Sequence, residues 1–244
     1  RRPQKLNRYY EDEIPDTIQG RDNQISVIIE ILKRTPVCQM WVPDCEADDV
    51  IGYLSRYAFP ENKKIILSSD KDFYQLLCED VSIYSPTRKK IITHVDVAKE
   101  YQISAENFCL AKSICGDTSD NIPGIKGAGF KTIAKRFPQM SQNQSVTIEQ
   151  VVSTSRSAAS DKRSPKIYLE ISKNEEKIKR NWELVYLDIR NLSHSQVKRI
   201  SDTLDTFTTK RDKISTMRTL IREGIKTLDV DRLFLSFNSI RDVK

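Results

Sequence analysis

Three groups of acidic residues are spaced for chemistry. Glu46, Asp48 and Asp49 crowd the start of one apolar-periodic stretch. Asp70 and Asp72 bracket a lysine directly after an apolar run. Asp117 and Asp120 lie three residues apart in Gly116-Asp117-Thr118-Ser119-Asp120-Asn121. Any one group has a structural reading, since acids near a helix N-terminus interact favourably with its unsatisfied amides. Capping needs one or two acids, so three at 46–49 favour a cation site over simple capping. If all three groups converge, so many carboxylates stay ionised together only with divalent cations between them. Oxygen-only ligands favour magnesium or manganese over zinc. Two such ions roughly 4 Å apart would activate a water and stabilise the leaving oxygen of a phosphodiester.

Immediately after the last acidic pair comes Pro123-Gly124-Ile125-Lys126-Gly127-Ala128-Gly129, followed by Ile133, Ala134 and Phe137 at helical spacing. Three glycines in six residues permit left-handed backbone angles and let another molecule approach bare amides. Amides at a helix start suit phosphate, and Lys126 and Lys131 flank them with positive charge. Carboxylates beside a phosphate site are unfavourable unless cations lie between them, which again points to metal-assisted phosphodiester chemistry. The bland alternative is two successive turns.

Simple elements must position these groups. A helix over about residues 22–34 is expected from Ile25, Ile28, Ile29 and Leu32. A short strand at Val37–Val42 precedes the Glu46–Leu54 helix, whose buried face would be Ala47, Val50, Ile51 and Leu54. Lys63–Ser69 reads as a strand, with Ile65, Ile66 and Leu67 forming a run typical of a parallel sheet buried on both faces. Asp70 and Asp72 then stand at its carboxyl end, where ligands gather in open α/β sheets. Phe73, Leu76 and Leu77 anchor a short helix behind them. Residues 81–85 and 90–93 read as a hairpin. These alternations make 22–93 a parallel α/β unit. From about residue 95 the pattern is helical, with Ser104 as an N-cap and Phe108, Ala111 and Ile114 on one face. Residues 139–164 read as a mobile Ser/Gln/Thr-rich connection, and 167–181 as a solvated helix. Amphipathic helices close the chain, with faces Val197/Ile200/Leu204/Phe207, Met217/Leu220/Ile221 and Leu228/Leu233–Phe237.

Composition excludes several classes. The chain has 244 residues and a net charge of +6. That mild basicity, combined with acidic clusters, suits a polyanion held around metal ions. Five scattered cysteines without a CxxC pair indicate reduced thiols in a cytoplasm-like compartment. The two histidines, His94 and His194, are too far apart in sequence for a zinc site or a His-based triad to be expected. No apolar run reaches the length of a membrane span. Residues 1–21 carry Arg1, Arg2, Lys5, Arg8 and Arg21 with Tyr9 and Tyr10 interleaved. That pattern suits single-stranded nucleic acid, through stacking and phosphate neutralisation, and equally a solvated terminus.

Taken in order, Glu46-Ala47-Asp48-Asp49, Ser69-Asp70-Lys71-Asp72-Phe73, Gly116–Asn121 and the 123–129 hairpin resemble the 5′-nuclease family. That family includes phage flap endonucleases, phage ribonuclease H and the 5′-to-3′ exonuclease domain of bacterial DNA polymerase I. Asn181–Asp188 is a weaker match further on. The resemblance implies a parallel sheet with flanking helices, a PIN-like nuclease core, over residues 1–103. A helical region would follow over 104–244, with the helix–three-turn–helix at 116–137. It implies structure-specific cleavage of 5′ flaps, 5′ ends or RNA primers by two magnesium ions, for which manganese can substitute. Glu46, Asp48, Asp49 and Asp70 would serve the first ion. Asp72, Asp117 and Asp120 would serve the second, with Asp70 shared between them. Gly124, Ile125, Lys126, Gly127, Gly129 and Lys131 would grip duplex DNA, with potassium at the hairpin carbonyls. Lys5 and Arg8 match a helical arch threaded by single strand and would contact the scissile phosphate; residues 1–21 would be a remnant of that arch. Gln4 stands where the family often has a stacking tyrosine. The family's two strands before the arch, each ending in an aspartate, have no counterpart in this sequence, which begins inside the arch. The implied protein is a monomer acting on flap or junction DNA, or on an RNA–DNA hybrid, in a bacterial or phage-infected cytoplasm. The alternative is a non-catalytic DNA-junction binding module that keeps the hairpin. A helix-hairpin-helix glycosylase would not need the acids at 46–49 and 70–72.

Overall fold

The structure is a computed structural model that describes residues 16–240. Lys5, Arg8 and nearly all of the expected arch segment lie outside the described residues. In chain order the elements are helix α1 (Asp16–Leu32), α2 (Ala47–Tyr53), strands β1 (Lys64–Leu67), β2 (Val81–Ser85) and β3 (Lys90–Ile92), then α3 (His94–Tyr101), α4 (Ala105–Cys115), α5 (Phe130–Arg136), α6 (Ile148–Ala159), α7 (Lys166–Lys173), α8 (Glu175–Val185), α9 (His194–Thr206), α10 (Lys213–Arg222) and α11 (Val230–Ser239). Contacts divide the chain into two compact units, Cys45–Leu192 and Arg1–Asp44 with Ser193–Lys244.

In the first of these units, β1 pairs parallel with β2, from Lys64↔Val81 to Leu67↔Tyr84. β2 pairs antiparallel with β3, with Ile83 opposite Ile92. The sheet is therefore mixed, not wholly parallel. The hairpin turn, with Lys89 at φ 51°, is too short for the crossover a parallel neighbour requires. Side chains alternate across a strand. Ile66, Ile83 and Ile92 enter the core, while Ile65 and Leu67 are 62% and 72% exposed. The expectation of a β1 buried on both faces fails because, among the described residues of this unit, packing covers one face only.

That packing centres on α4. Nine of its eleven residues are buried, so it is enclosed all round and not merely amphipathic. Its N-terminal half (Ala105, Phe108) joins Phe73, Tyr74, Leu76, Val97 and Leu187 behind the sheet. Its C-terminal half (Leu110, Ala111, Ile114) joins Ile125, Ile133, Phe137, Val151, Ile171 and Ile178 in the helical layer. The contacts thus keep the sheet and the helical layer in one unit, across the 103/104 boundary expected from sequence. Residues 139–164 form no loose connection. Thr147 and Gln150 make a capping box that starts α6, which buries Val151, Val152 and Ser155. Ahead of that helix, the Asn107 amide donates to the carbonyls of Gln142 and Gln144 and accepts from the Val146 N–H. The 167–181 stretch is two helices, α7 and α8, broken at Asn174.

The other unit is more polar. Glu30 pairs with Arg34 and Arg222 at 2.8 Å each, and Arg34 donates to the Ser215 carbonyl at 2.8 Å and to the Thr219 hydroxyl. These bonds hold the end of α1 against α10. The expected α1 core stripe stays open, with Ile25, Ile28 and Ile29 between 41% and 54% exposed. On α10 the buried face is Thr216, Thr219 and Leu220, while Met217 and Ile221 are exposed. Residues 37–42 form no strand. Side chains take the place of a ladder, because Gln39 donates to the Ile29 carbonyl and Arg199 to that of Trp41.

Replacing Asn107 with Ala removes the clamp on 142–146 and leaves its part-buried backbone partners without this side chain. Urea denaturation of Asn107→Ala is expected to show a loss of about 2–3 kcal/mol.

Candidate functional site

All seven acids singled out by sequence lie in the Cys45–Leu192 unit. Asp70 and Asp72 follow β1, as its carboxyl end requires. Ser68 Oγ accepts the Asp70 N–H at 3.0 Å, and Asp70 Oδ1 accepts the Asp72 N–H at 2.9 Å, capping a 3-10 turn at Lys71–Leu76. Buried Phe73, Tyr74 and Leu76 hold that turn down. Gln75 ties it to the end of α8, donating to the Asp72 and Val185 carbonyls and accepting from the Leu187 N–H.

Asp117 follows Gly116 at the end of α4. Its backbone pairs twice with Ile122, N–H to carbonyl at 2.8 Å and carbonyl to N–H at 2.7 Å, closing a loop that carries exposed Asp120. Asp117 Oδ1 accepts the Ser119 N–H at 2.9 Å and its hydroxyl at 2.5 Å. Asp117 Oδ2 lies 2.6 Å from Lys112 Nζ. The same ammonium also bonds Asp72 Oδ1. Lys112 therefore joins the two acidic groups from inside the protein, with its side chain 8% exposed. Burial would raise the Asp117 pKa, yet the hydrogen bonds from Lys112 and Ser119 overcome it and hold the carboxyl down at about 2. It is ionised at neutral pH.

At the start of α2, Glu46 occupies the N-cap position without a side-chain cap bond. Asp48 is half-buried, and buried Asp49 accepts from Asn191 Nδ2 at 3.0 Å. Among the described residues, no three His, Cys, Asp or Glu side chains gather closely enough to hold a metal ion. What the structure brings together is the Asp72–Lys112–Asp117 triad. Two carboxylates around one buried cationic group are a donor pair of the right chemistry for a hard cation.

The hairpin divides into anchors and exposed groups. Ile125 is 3% exposed in the helical core, its N–H bonded to the Ile114 carbonyl at 2.8 Å and its carbonyl to the Ala128 N–H at 2.9 Å, so it anchors the hairpin. The Gly124 carbonyl accepts Lys177 Nζ at 2.7 Å. Buried Asn181 donates to the Ser113 carbonyl at 2.9 Å and the Pro123 carbonyl at 3.0 Å. Lys126, Gly127, Gly129 and Lys131 are exposed. Gly127 has φ 81°, and a Cβ there would meet nothing within 4 Å.

Sequence reading passed over Lys112, Lys177 and a packing role for Asn181. Lys112 had a signal, being the one charge between Asn107 and Gly116 in a stretch otherwise fit for burial. Lys177 was indistinguishable from the other lysines around it.

Comparison with known proteins finds similarity over part of the chain. Residues 3–102 match the model of the 5′-3′ exonuclease N-terminal resolvase-like domain. The chain is 40% identical over 110 residues to a 5′-3′ exonuclease of Buchnera aphidicola, covering 45% of this chain and 38% of that one. It is 35% identical over 130 residues to a 5′-3′ exonuclease of Aquifex aeolicus, covering 53% and 45%. A thermostable DNA polymerase I of Thermus filiformis is 36% identical over 110 residues, covering 45% and 13%. The chain thus spans less than half the length of these curated relatives. Among solved structures, a bacteriophage T5 flap endonuclease in a pseudo-enzyme–product complex with DNA and metal ions superposes with a TM-score of 0.62 at 22% identity, over 79% of this chain and 72% of that one. A T5 5′-exonuclease with bound zinc gives 0.60, also at 22% identity, over 79% and 72%. The fold is that of the T5 5′-exonuclease, and in sequence the resemblance to 5′-3′ exonucleases is carried by residues 3–102.

Two glycines separate anchoring from exposure. A Cβ on Gly124 would lie 1.9 Å from the Cys115 carbonyl oxygen, whereas one on Gly127 only strains φ. Gly124→Ala is expected to cost more than about 3 kcal/mol and Gly127→Ala about 1 kcal/mol, measured by chemical denaturation of each variant.

Proposed function

We propose that this protein is a structure-specific 5′ nuclease that hydrolyses phosphodiesters at 5′ flaps, 5′ ends or RNA primers during DNA replication and repair. The observation that carries the reading is the meeting of Asp72 and Asp117, from separate acidic motifs, around one buried cation beyond the carboxyl end of β1. Its proposed cofactors are two magnesium ions, replaceable by manganese. When bound, such ions acidify water and neutralise charge on the leaving oxygen. Glu46, Asp48, Asp49 and Asp70 are assigned to the first ion. Asp72, Asp117 and Asp120 are assigned to the second, with Asp70 shared. Asp70 already turns one oxygen toward its own turn by capping Asp72, which fixes the carboxylate's orientation. Lys5 and Arg8 are assigned to the scissile phosphate.

The hairpin is proposed to hold duplex through phosphates, with Lys126 and Lys131 supplying charge and Gly127 and Gly129 supplying access. Gly124 and Ile125 serve it as anchors. The Gly124 carbonyl is held by Lys177 and that of Ile125 by the Ala128 N–H, so a potassium ion there would draw on the other turn carbonyls. Backbone and lysine contacts to phosphate carry no base information. Among the described residues no helix is long and apolar enough to cross a membrane. A monomer in the cytoplasm, acting on junction DNA or RNA–DNA hybrid, fits this reading.

A second reading, junction binding without cleavage, is favoured by one observation: no three acids converge among the described residues. Magnesium-dependent cleavage of a 5′-flap duplex separates the two. Asp70→Asn is expected to slow that cleavage by roughly 100-fold or more, the scale of losing one charge-stabilising group, while leaving flap binding intact or tighter. Cleavage within a fewfold of the parent would remove Asp70 from the site.

Lys126→Ala combined with Lys131→Ala should weaken duplex binding equally for all sequences. The slope of log affinity against log salt should shrink by about two units. A sequence-dependent loss, or none, in a fluorescence titration over several salt concentrations would reduce the hairpin to a turn.

A further inference from the structure

We infer that Lys112 is the resident counter-cation of the second-metal position, a positioning residue whose ammonium holds Asp72 and Asp117 together and is displaced when a divalent ion takes their oxygens. This rests on the nuclease reading above.

Both carboxylate oxygens of Asp117 are engaged. Oδ1 is held by the Ser119 N–H and hydroxyl. Oδ2 is the oxygen turned to Lys112, at 2.6 Å. On Asp72, Oδ1 is bonded to the same ammonium. A divalent ion that bridges these acids through Asp117 Oδ2 and Asp72 Oδ1 takes the two oxygens that Lys112 occupies, and the ammonium must then withdraw. Magnesium requires oxygens at about 2.1 Å, and an ammonium held at ordinary hydrogen-bond distance from the same oxygens would face it as a like charge a few ångströms away.

Charge points the same way. Two carboxylates and one ammonium leave a net negative charge in a half-closed site, where desolvation is costly. A divalent ion would neutralise the pair completely. Until then, Lys112 keeps two carboxylates from separate elements from repelling each other apart. It can leave because only its stem is flexible. Its Cα belongs to α4, enclosed on all sides, while the four-carbon side chain has several rotatable bonds. The exchange therefore moves a side chain and not an element.

The test uses the whole chain and manganese ion as the probe. Lysines are labelled with an amine-reactive anhydride in EDTA and in excess Mn²⁺, and labelling of the Lys112 peptide is measured by mass spectrometry, with exposed Lys63 as the internal reference. Lys112 is expected to be protected in EDTA and to label at least ~5-fold faster in Mn²⁺ as its ammonium is expelled to solvent. Mn²⁺ binding is counted in parallel by electron paramagnetic resonance for the parent, Lys112→Met and Lys112→Arg. Lys112→Met, lacking the competing charge, should bind the second ion roughly 10-fold tighter, and Lys112→Arg should not. The labelling arm needs no variant, so a Lys112→Met chain that fails to fold does not remove the test. Mn²⁺ bound by the parent with Lys112 labelling unchanged or lowered overturns this inference alone. An absence of any bound Mn²⁺ overturns it together with the metal assignments of the nuclease reading.

Discussion

A lysine ammonium buried between two carboxylates is an expensive arrangement. Each charge loses solvation, and only close pairing offsets that loss. Lys112, Asp72 and Asp117 come from α4, from the turn after β1 and from the loop after α4. Their meeting requires the sheet edge, the central helix and the loop to hold one geometry. Removing one partner from such a set leaves an uncompensated charge, at a cost of about 3–5 kcal/mol. The rest of the Cys45–Leu192 unit is organised so that this contact can exist: α4 is enclosed by both apolar clusters, and Gln75 locks the acidic turn to the end of α8.

The loop from Gly116 to Gly124 depends on the same helix from its other side. Gly116 and Gly124 approach so closely that neither position has room for a Cβ. Asn181 and Lys177 on α8 then hold the carbonyls of Ser113, Pro123 and Gly124. The exposed tip, Lys126 to Gly129, is thus carried on a base fixed by buried hydrogen bonds. Buried polar bonds of this kind are costly to break singly, because the orphaned partner cannot reach water. That makes the hairpin a suitable platform for binding a large polyanion without rearranging, and it places the platform next to the acids.

Much of this was legible in the residues. The acidic motifs, the hairpin, α4, the β2–β3 hairpin and the turn holding Asp70 and Asp72 all follow from local rules: capping, period and turn chemistry. The 5′-nuclease resemblance rests on the same local features, since motif order and spacing are properties of the chain alone. Where local rules misled, the reason was a missing or unexpected neighbour. The run at 65–67 promises burial on both faces, yet the described partners cover only the Ile66 side. The periodic isoleucines of α1 promise a core, yet polar pairs around Glu30 fix that helix instead. The Ser/Gln/Thr-rich stretch after residue 139 looked loose because its order comes from capping and from Asn107, far away in sequence.

The sequence by itself determined which residues could bind a cation or a phosphate, because charge, backbone freedom and spacing belong to the chain. Only the tertiary structure decided which of them meet. A lone lysine in an apolar helix reads as a snorkelling surface charge until two carboxylates are seen at its end. An asparagine in the middle of a charged helix reads as polar surface until it is found buried against two carbonyls. Seven acids in three motifs carry no mark of which will share a partner, and folding joins Asp72 and Asp117 through Lys112. The reason is physical: a charge's partner is set by distance through space, and electrostatic attraction carries no record of separation along the chain.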